Sequence, residues 1–170
     1  MEALMKTFRL RGLHLLLQED KKELTEEQVK IQEGLVINRE EDGWWLVEAV
    51  VAESGVATFQ QLLNEACKVV MEVLISHTQN DPATMVGRVR SIRSLTDRYS
   101  ILIDGKMAVK KEEVFNYILE TLIEDGYSGD ELLTEFKKRK QDRGSWSRHL
   151  ARSLYKQYRT QGYSPLDHAE

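Results

Sequence analysis

Two apolar runs between residues 31 and 51, separated by a polar connector, form the clearest pattern in the chain. The first run covers residues 35–37, and the second begins with Trp44 and Trp45. The connector, residues 39–43, ends in Asp-Gly, a dipeptide that favours a tight turn between antiparallel strands. We therefore predict a β-hairpin whose adjacent tryptophans point to opposite faces, because side chains alternate along a strand.

Alternating apolar and polar positions recur in four other stretches, which brings the predicted number of strands to about six. These stretches are residues 5–17, 68–76, 84–95 and 99–103. In the first stretch the apolar positions change parity after Gly12, which predicts a bulge or a sharp bend. Residues 18–30 are highly charged, and we expect them to form a connector. A short helix is predicted at residues 59–66, with Thr58 as its cap.

Single polar residues add detail to the predicted strands. Glu72 interrupts one face of its strand, so we expect that face to point at least partly to water. Arg88 and Arg90 occupy the outward positions of the next strand. Asp104-Gly105 repeats the Asp-Gly signal and predicts a further turn.

The period of the apolar positions changes from two to 3.6 after residue 110. Residues 111–125 form a predicted helix that Gly126 terminates. Ser128, followed three residues later by Glu131, matches a capping box that opens a second helix. Because the turn between the two helices is short, we expect them to pack antiparallel.

The C-terminal part of the chain carries a third helical pattern. Its apolar side consists of residues spaced four apart, namely Trp146, Leu150, Leu154 and Tyr158. Its charged side includes Arg148 and Arg152. This arrangement predicts a basic amphipathic helix.

The order of strands first and helices last is typical of an α+β fold. We predict a curled antiparallel β-barrel core of about six strands with a C-terminal antiparallel helix pair, and a third amphipathic helix as a further expectation. The chain then divides into a barrel core at residues 1–109, a helix pair packed on the barrel at 110–143 and a basic amphipathic tail at 144–170.

Several short motifs resemble the YwpF-like family of Bacillus and its relatives. These are Met-Lys-Thr-Phe at 5–8, Gly-Leu-Val-Ile-Asn at 34–38, Trp-Leu-Val-Glu-Ala at 45–49, Asn-Asp-Pro at 80–82 and Leu-Leu-Thr-Glu-Phe at 132–136. The resemblance covers roughly residues 5–138 and implies a β-barrel core similar to the Hcp tube protein of type VI secretion, followed by a helix pair. It does not imply secretion, because likeness of fold does not carry function.

Composition and charge narrow the class of protein. Hydrophobic residues make up 41% of the chain and charged residues 31%, which is ordinary for a globular protein in water. Cys67 is the only cysteine, so no internal disulfide can form, and we expect a cytoplasmic protein. No apolar run approaches the roughly 20 residues of a transmembrane segment. The net charge of −4 divides into +6 from residue 137 onward and −10 before it.

The residues that usually carry chemistry form no recognisable motif. The histidines at 14, 77, 149 and 168 lack the spacing of metal ligands on one helix face. Cys67 has no histidine nearby in sequence, and no phosphate-binding glycine loop occurs. We therefore predict no catalytic residue, no cofactor and no metal site, and we expect that the protein is not an enzyme.

Two candidate interaction features follow from these patterns. The amphipathic tail could dock on the acidic body of this protein, bind a groove on another protein, or contact nucleic acid or anionic lipid. Trp44 and Trp45 could serve the scaffold, or one of them could line an exposed binding surface. We expect a non-enzymatic module that serves protein–protein interaction or structure, and we expect it to be a monomer or a homodimer. The alternative is a nucleic-acid-binding module that uses the basic tail.

Overall fold

The computed structural model describes residues 6–19, 23–39, 43–66, 68–80, 82–108, 111–142, 145–146 and 148–153. The strands are β1 Lys6–Glu19, β2 Glu23–Val29, β3 Glu33–Asn38, β4 Trp44–Ala52, β5 Lys68–Ile75, β6 Ala83–Ser94 and β7 Arg98–Met107. The α-helices are α1 Ala57–Asn64, α2 Lys111–Glu124 and α3 Gly129–Gln141, and a 3-10 turn covers Glu53–Gly55. Residues 145–146 and 148–153 are also helical and are called the C-terminal helical segment below.

Six of the strands close an antiparallel barrel in the order β1-β3-β4-β7-β6-β5, and β5 returns to β1. The long strand β1 pairs with two partners on its other edge: β3 along its first residues and β2 from Leu13 onward. All of these pairings are antiparallel. The structure therefore confirms the α+β class, the barrel and the helices that follow it.

The barrel interior is filled by alternate side chains of the strands, as the period of two predicts. The most deeply buried of them include Leu13, Leu15, Val36, Val47, Met71, Val73, Met85, Ile101 and Ile103. Helix α1 adds Phe59 and Leu62 to this core. A side chain at Gly87 would crowd the core, because its Cβ atom would lie 2.7 Å from Cε of Met71 and 2.9 Å from Cγ2 of Ile103. The end of the Met71 side chain thus fills the space beside the Cα atom of Gly87.

Several local predictions are confirmed. The register between β1 and β5 shifts between Leu10 and Gly12, which is the predicted bulge. The β3–β4 hairpin forms, and Gly43 at its turn has a φ of +79°, a conformation that glycine adopts without strain. Gly126 has a φ of +89° and ends α2, with the Tyr127 amide donating to the carbonyl of Leu122.

Two predictions about the strands are wrong. The charged stretch 18–30 contains β2, whose signal is weak because Val29 is the only buried residue among its described side chains. Asp104-Gly105 does not form a turn but lies inside β7. Gly105 serves packing instead, since a Cβ atom there would lie 3.1 Å from Cε of Met71. The described part of the chain therefore has seven strands, six of which close the barrel.

The predicted helix caps also differ from the structure. Thr58 lies within the first turn of α1, and its hydroxyl donates to Oε1 of Glu27 at 3.1 Å. Ser128 stands at the N-cap of α3 without a side-chain capping hydrogen bond. Gly129, which follows it with a φ of +60°, changes the path of the backbone into the helix.

The helices have a small core of their own, separate from the barrel interior. Val114, Ile118 and Leu122 of α2 are buried in it. Partly buried residues pack around them, namely Ala108, Phe115, Tyr127, Leu132, Phe136, Trp146 and Leu150. The C-terminal helical segment therefore shares a core with α2 and α3, to which it contributes Trp146 and Leu150.

Candidate interaction surfaces

One face of the barrel wall combines carboxylates with apolar side chains at outward positions of β1, β2, β5 and β6. We call it the acidic face and define it by His14, Leu16, Glu26, Val70, Glu72 and Val86. The strand register places Leu16 opposite both Glu26 and Val70, and Val70 opposite Val86. In the neighbouring row, His14 lies opposite Glu72. Apolar side chains on this outer face are stabilised when another segment buries them. A carboxylate that is buried with them requires a cation as its partner.

The C-terminal helical segment supplies that cover. Ala151 is wholly buried and packs with Leu16, Val70 and Val86. Nε of Arg148 lies 3.1 Å from Oε2 of Glu72, whose residue is only 5% exposed. The expectation that the face of Glu72 points to water is therefore wrong, because a segment distant in sequence covers it.

A second ion pair fixes the segment at the edge of the same face. Arg152 donates to Oε1 of Glu26 from Nε at 2.8 Å and from Nη2 at 2.5 Å. The hydrogen bond from Arg152 outweighs burial and lowers the pKa of Glu26 below its ordinary value. Nε2 of His14 lies 3.5 Å from the other oxygen of Glu26, and its Nδ1 lies 3.1 Å from Oε1 of Gln28. Glu26 therefore has Arg152 on one carboxylate oxygen and His14 near the other.

Trp146 anchors the start of the segment to the helices. Its ring meets that of Tyr117 edge-on at 5.9 Å between centroids and that of His149 at 5.7 Å. The guanidinium of Arg139 lies 5.3 Å from its centroid, within the range of a cation–π contact. The described residues of the tail thus contact the protein's own body, whereas Leu154 and Tyr158 lie outside the described residues.

A second face of the wall carries cations and an aromatic ring. We call it the basic strip and define it by Arg39, Trp44, Arg88, Arg90, Asp104 and Lys106, from β4, β6, β7 and the end of β3. Asp104 is the single carboxylate among the described residues that define the strip. Nε of Arg90 lies 3.0 Å from Oδ2 of Asp104, and Nη1 of Arg39 lies 3.3 Å from Oδ1. Four cations and one carboxylate leave the strip with a formal charge of +3.

The cations of the strip are not all matched. Arg88 is exposed, and within the part of the chain that the structure describes it makes no ion pair. The register places it between Lys68 and Asp104, whose two oxygens bind Arg39 and Arg90. Like charges opposite each other on neighbouring strands are unfavourable, so Arg88 adds little to the stability of the fold.

The two adjacent tryptophans have different surroundings, as their alternation predicts. Trp45 points inward, packs against the barrel core and lies 6.3 Å from the ring of Phe8. Trp44 points outward, and Nζ of Lys106 lies 5.6 Å from its ring centroid. Trp44 is partly exposed, so part of its ring is accessible to another molecule.

The described residues form neither an arrangement typical of metal sites nor a membrane-spanning helix. Among the described residues, no three His, Cys, Asp or Glu side chains gather as metal ligands would. Cys67 lies outside the described residues. No helix in the described ranges is long and apolar enough to cross a membrane.

Sequence reasoning missed the residues that organise both faces. The sequence patterns predict a connector at Glu26, a turn at Asp104 and a solvent-facing position at Glu72. A carboxylate within the apolar run of a strand, such as Glu72 between Met71 and Val73 or Asp104 after Ile103, is the signal that could have found two of them. Such a residue requires a cation from elsewhere in the fold.

Comparison with known proteins covers the barrel and the helix pair. The family model of YwpF-like proteins matches residues 6–139, which end before the C-terminal helical segment. The chain is 35% identical to "Uncharacterized protein YwpF" of Bacillus subtilis (strain 168) over 136 residues, which are 79% of this chain and 99% of that protein. A crystal structure of a hypothetical protein from Staphylococcus aureus aligns with a TM-score of 0.54 and 28% identity, covering 80% of this chain and 93% of the other. The chain belongs to the YwpF-like family.

Proposed function

We propose that this protein is a non-enzymatic interaction module that uses the basic strip to bind an acidic segment of another protein. The observation that carries the proposal is the excess of cations around Asp104, next to the partly exposed ring of Trp44. Arginine guanidinium groups bind carboxylates through two parallel hydrogen bonds, and tryptophan is enriched at interaction hot spots. A partner carboxylate would complete the pairing that Asp104 provides for only two of the arginines.

The overall charge supports a short acidic partner more than nucleic acid. The chain carries a net charge of −4, so its long-range field opposes the approach of a long polyanion. Two cations of the tail, Arg148 and Arg152, are neutralised by the protein's own carboxylates. A short peptide can stay within the positive strip, whereas a nucleic acid strand would extend beyond it.

The proposal includes the setting in which the module works. We place it in the cytoplasm, acting as a monomer or homodimer, with the division into barrel, helix pair and tail given above. Its single cysteine is compatible with a reducing compartment. Binding by the strip should weaken as salt is added, because its charges are close to water.

The test compares two double charge reversals in the full-length protein. Arg88→Glu with Arg90→Glu reverses two cations of the strip, and Lys137→Glu with Lys138→Glu makes the same change in charge on the exposed surface of α3. We expect affinity purification from the native host to recover acidic proteins with the wild type and the α3 variant. Recovery with the strip variant should fall at least tenfold.

Measuring the free energy of unfolding shows whether a variant loses binding because a contact is gone or because the protein no longer folds. Arg88→Glu alone should change the free energy of unfolding by less than about 0.5 kcal/mol, because the site is exposed and the new carboxylate would lie between Lys68 and Asp104, whose effects oppose each other. Equal recovery by the two double variants, or recovery of nuclease-sensitive material in place of acidic protein, would contradict the proposal.

A further inference from the structure

The acidic face is built to hold a helix of defined chemistry, and the bound segment shows what that chemistry is. Arg148 and Arg152 are four residues apart and therefore lie on one side of a helix. Ala151 lies between them on that side and is wholly buried. A small residue at this position lets the helix backbone approach the barrel wall.

Each element of the face has a separate task. Glu72, almost fully buried, binds the first arginine at 3.1 Å. Glu26 receives two hydrogen bonds from the second arginine. Leu16 and Val70 form the apolar floor under the alanine. The face thus recognises two arginines and a small apolar residue at fixed spacing.

The segment that occupies the face has features of an exchangeable ligand. The side chains of Arg148 and Arg152 are 59% and 43% exposed, so water can compete for both. Ala151 is the only fully buried residue among those of the segment that the structure describes, and Trp146 and Leu150, which pack with α2 and α3, are partly buried. The segment also lies beyond the family match, which ends at residue 139.

We propose that the acidic face is a receptor site for a basic amphipathic helix of a partner protein, with the C-terminal helical segment as its resident ligand in this chain. The partner helix carries arginines at positions i and i+4 and a small residue at i+3. The attached segment competes at high effective concentration, because a tether makes its binding intramolecular. The partner therefore binds only when its affinity or abundance overcomes that competition.

The test uses the full chain and a dye-labelled peptide with the sequence of residues 143–160 as the probe. The variant Arg148→Glu with Arg152→Glu disables the resident ligand and leaves the receptor residues intact. We expect this variant to bind the peptide at least tenfold more tightly than the wild type does, measured by fluorescence anisotropy. A peptide carrying the same two reversals should not bind. Equal affinity of variant and wild type would overturn the proposal.

A second measurement keeps the proposal testable if that variant does not fold. Amide hydrogen exchange on the wild type should show residues 148–153 exchanging at least tenfold faster than α2, since a ligand that leaves must open locally. Protection equal to that of α2 would make the segment a permanent part of the fold and overturn the proposal. The pair Arg88→Glu and Arg90→Glu, which tests the basic strip, should leave peptide binding unchanged, so the two proposals fail separately.

Discussion

The acidic face and the basic strip share the strand β6 but differ in how their charged side chains are paired. Val86 lies under the C-terminal helical segment, and Arg88, the next outward residue, is exposed. On the acidic face, carboxylates and arginines of the same chain pair across a long sequence separation. On the basic strip, cations outnumber the carboxylate beside them. A charge that the fold uses is matched within the chain, and a charge left unmatched is available to a partner.

The two faces also differ in how much solvent reduces the strength of their ion pairs. Glu72 is 5% exposed, so loss of its arginine would leave a nearly buried carboxylate, which is costly. The side chain of Asp104 is 24% exposed, and its pair with Arg90 is closer to water. Substitutions on the acidic face should therefore affect stability more than substitutions on the basic strip do.

The largest effect is expected from filling the contact between segment and barrel. Ala151→Leu adds three carbon atoms where the alanine is wholly buried, and overpacking of this kind costs about 1–3 kcal/mol. Urea unfolding of the full chain measures the loss. Ser153→Leu, at an exposed position of the same segment, is the matched control and should have little effect. Equal losses at both positions would show that packing of Ala151 on the barrel does not determine the result.

A smaller and two-sided effect is expected at the centre of the basic strip. Asp104→Asn removes the charge that Arg39 and Arg90 share, and partly exposed pairs of this kind contribute up to about 1 kcal/mol. The same change raises the formal charge of the strip from +3 to +4. We expect lower stability in urea together with stronger retention of acidic partners in affinity purification. Weaker retention would mean that Asp104 orients the arginines for binding.

The sequence predicted the parts of the fold that depend on local patterns. Alternation along β4 predicted that Trp44 and Trp45 point to opposite faces, and the parity change at Gly12 located the bulge. The end of α2 followed from Gly126. These features depend on residues close together in the chain, which is why a single sequence contains them.

Ion pairs between segments that are distant in the chain could not be predicted from local sequence patterns. The partner of Glu72 is Arg148, 76 residues away, and the partner of Glu26 is Arg152, 126 residues away. The turn predicted at Asp104-Gly105 is wrong because the Asp104 side chain pairs with Arg39 and Arg90, which lie far from it in sequence. Of the candidate site residues, the sequence indicated Trp44, Arg148 and Arg152 but not the carboxylates that organise their surroundings.

The smallest effect expected, and the one that tests the acidic face most directly, is the dependence of stability on pH. The hydrogen bond from Arg152 lowers the pKa of Glu26 in the folded protein below its ordinary value of 4.5. A carboxylate whose pKa is lower in the folded state stabilises the protein above its unfolded pKa and loses that contribution as pH falls through the folded pKa. For a pair this exposed, the contribution is about 0.5 kcal/mol.

Urea unfolding of wild type and Glu26→Gln between pH 7 and pH 3 measures this contribution. The wild type should be more stable than the variant near neutral pH, and the difference should shrink below pH 4.5 because protonated Glu26 and glutamine are both uncharged. Glu112→Gln, at an exposed position of α2, controls for a general change in charge. If the difference between wild type and Glu26→Gln is constant across the range, the pair with Arg152 does not hold the segment in solution. The acidic face would then hold the segment through Arg148 and Ala151, and it would recognise one arginine instead of two.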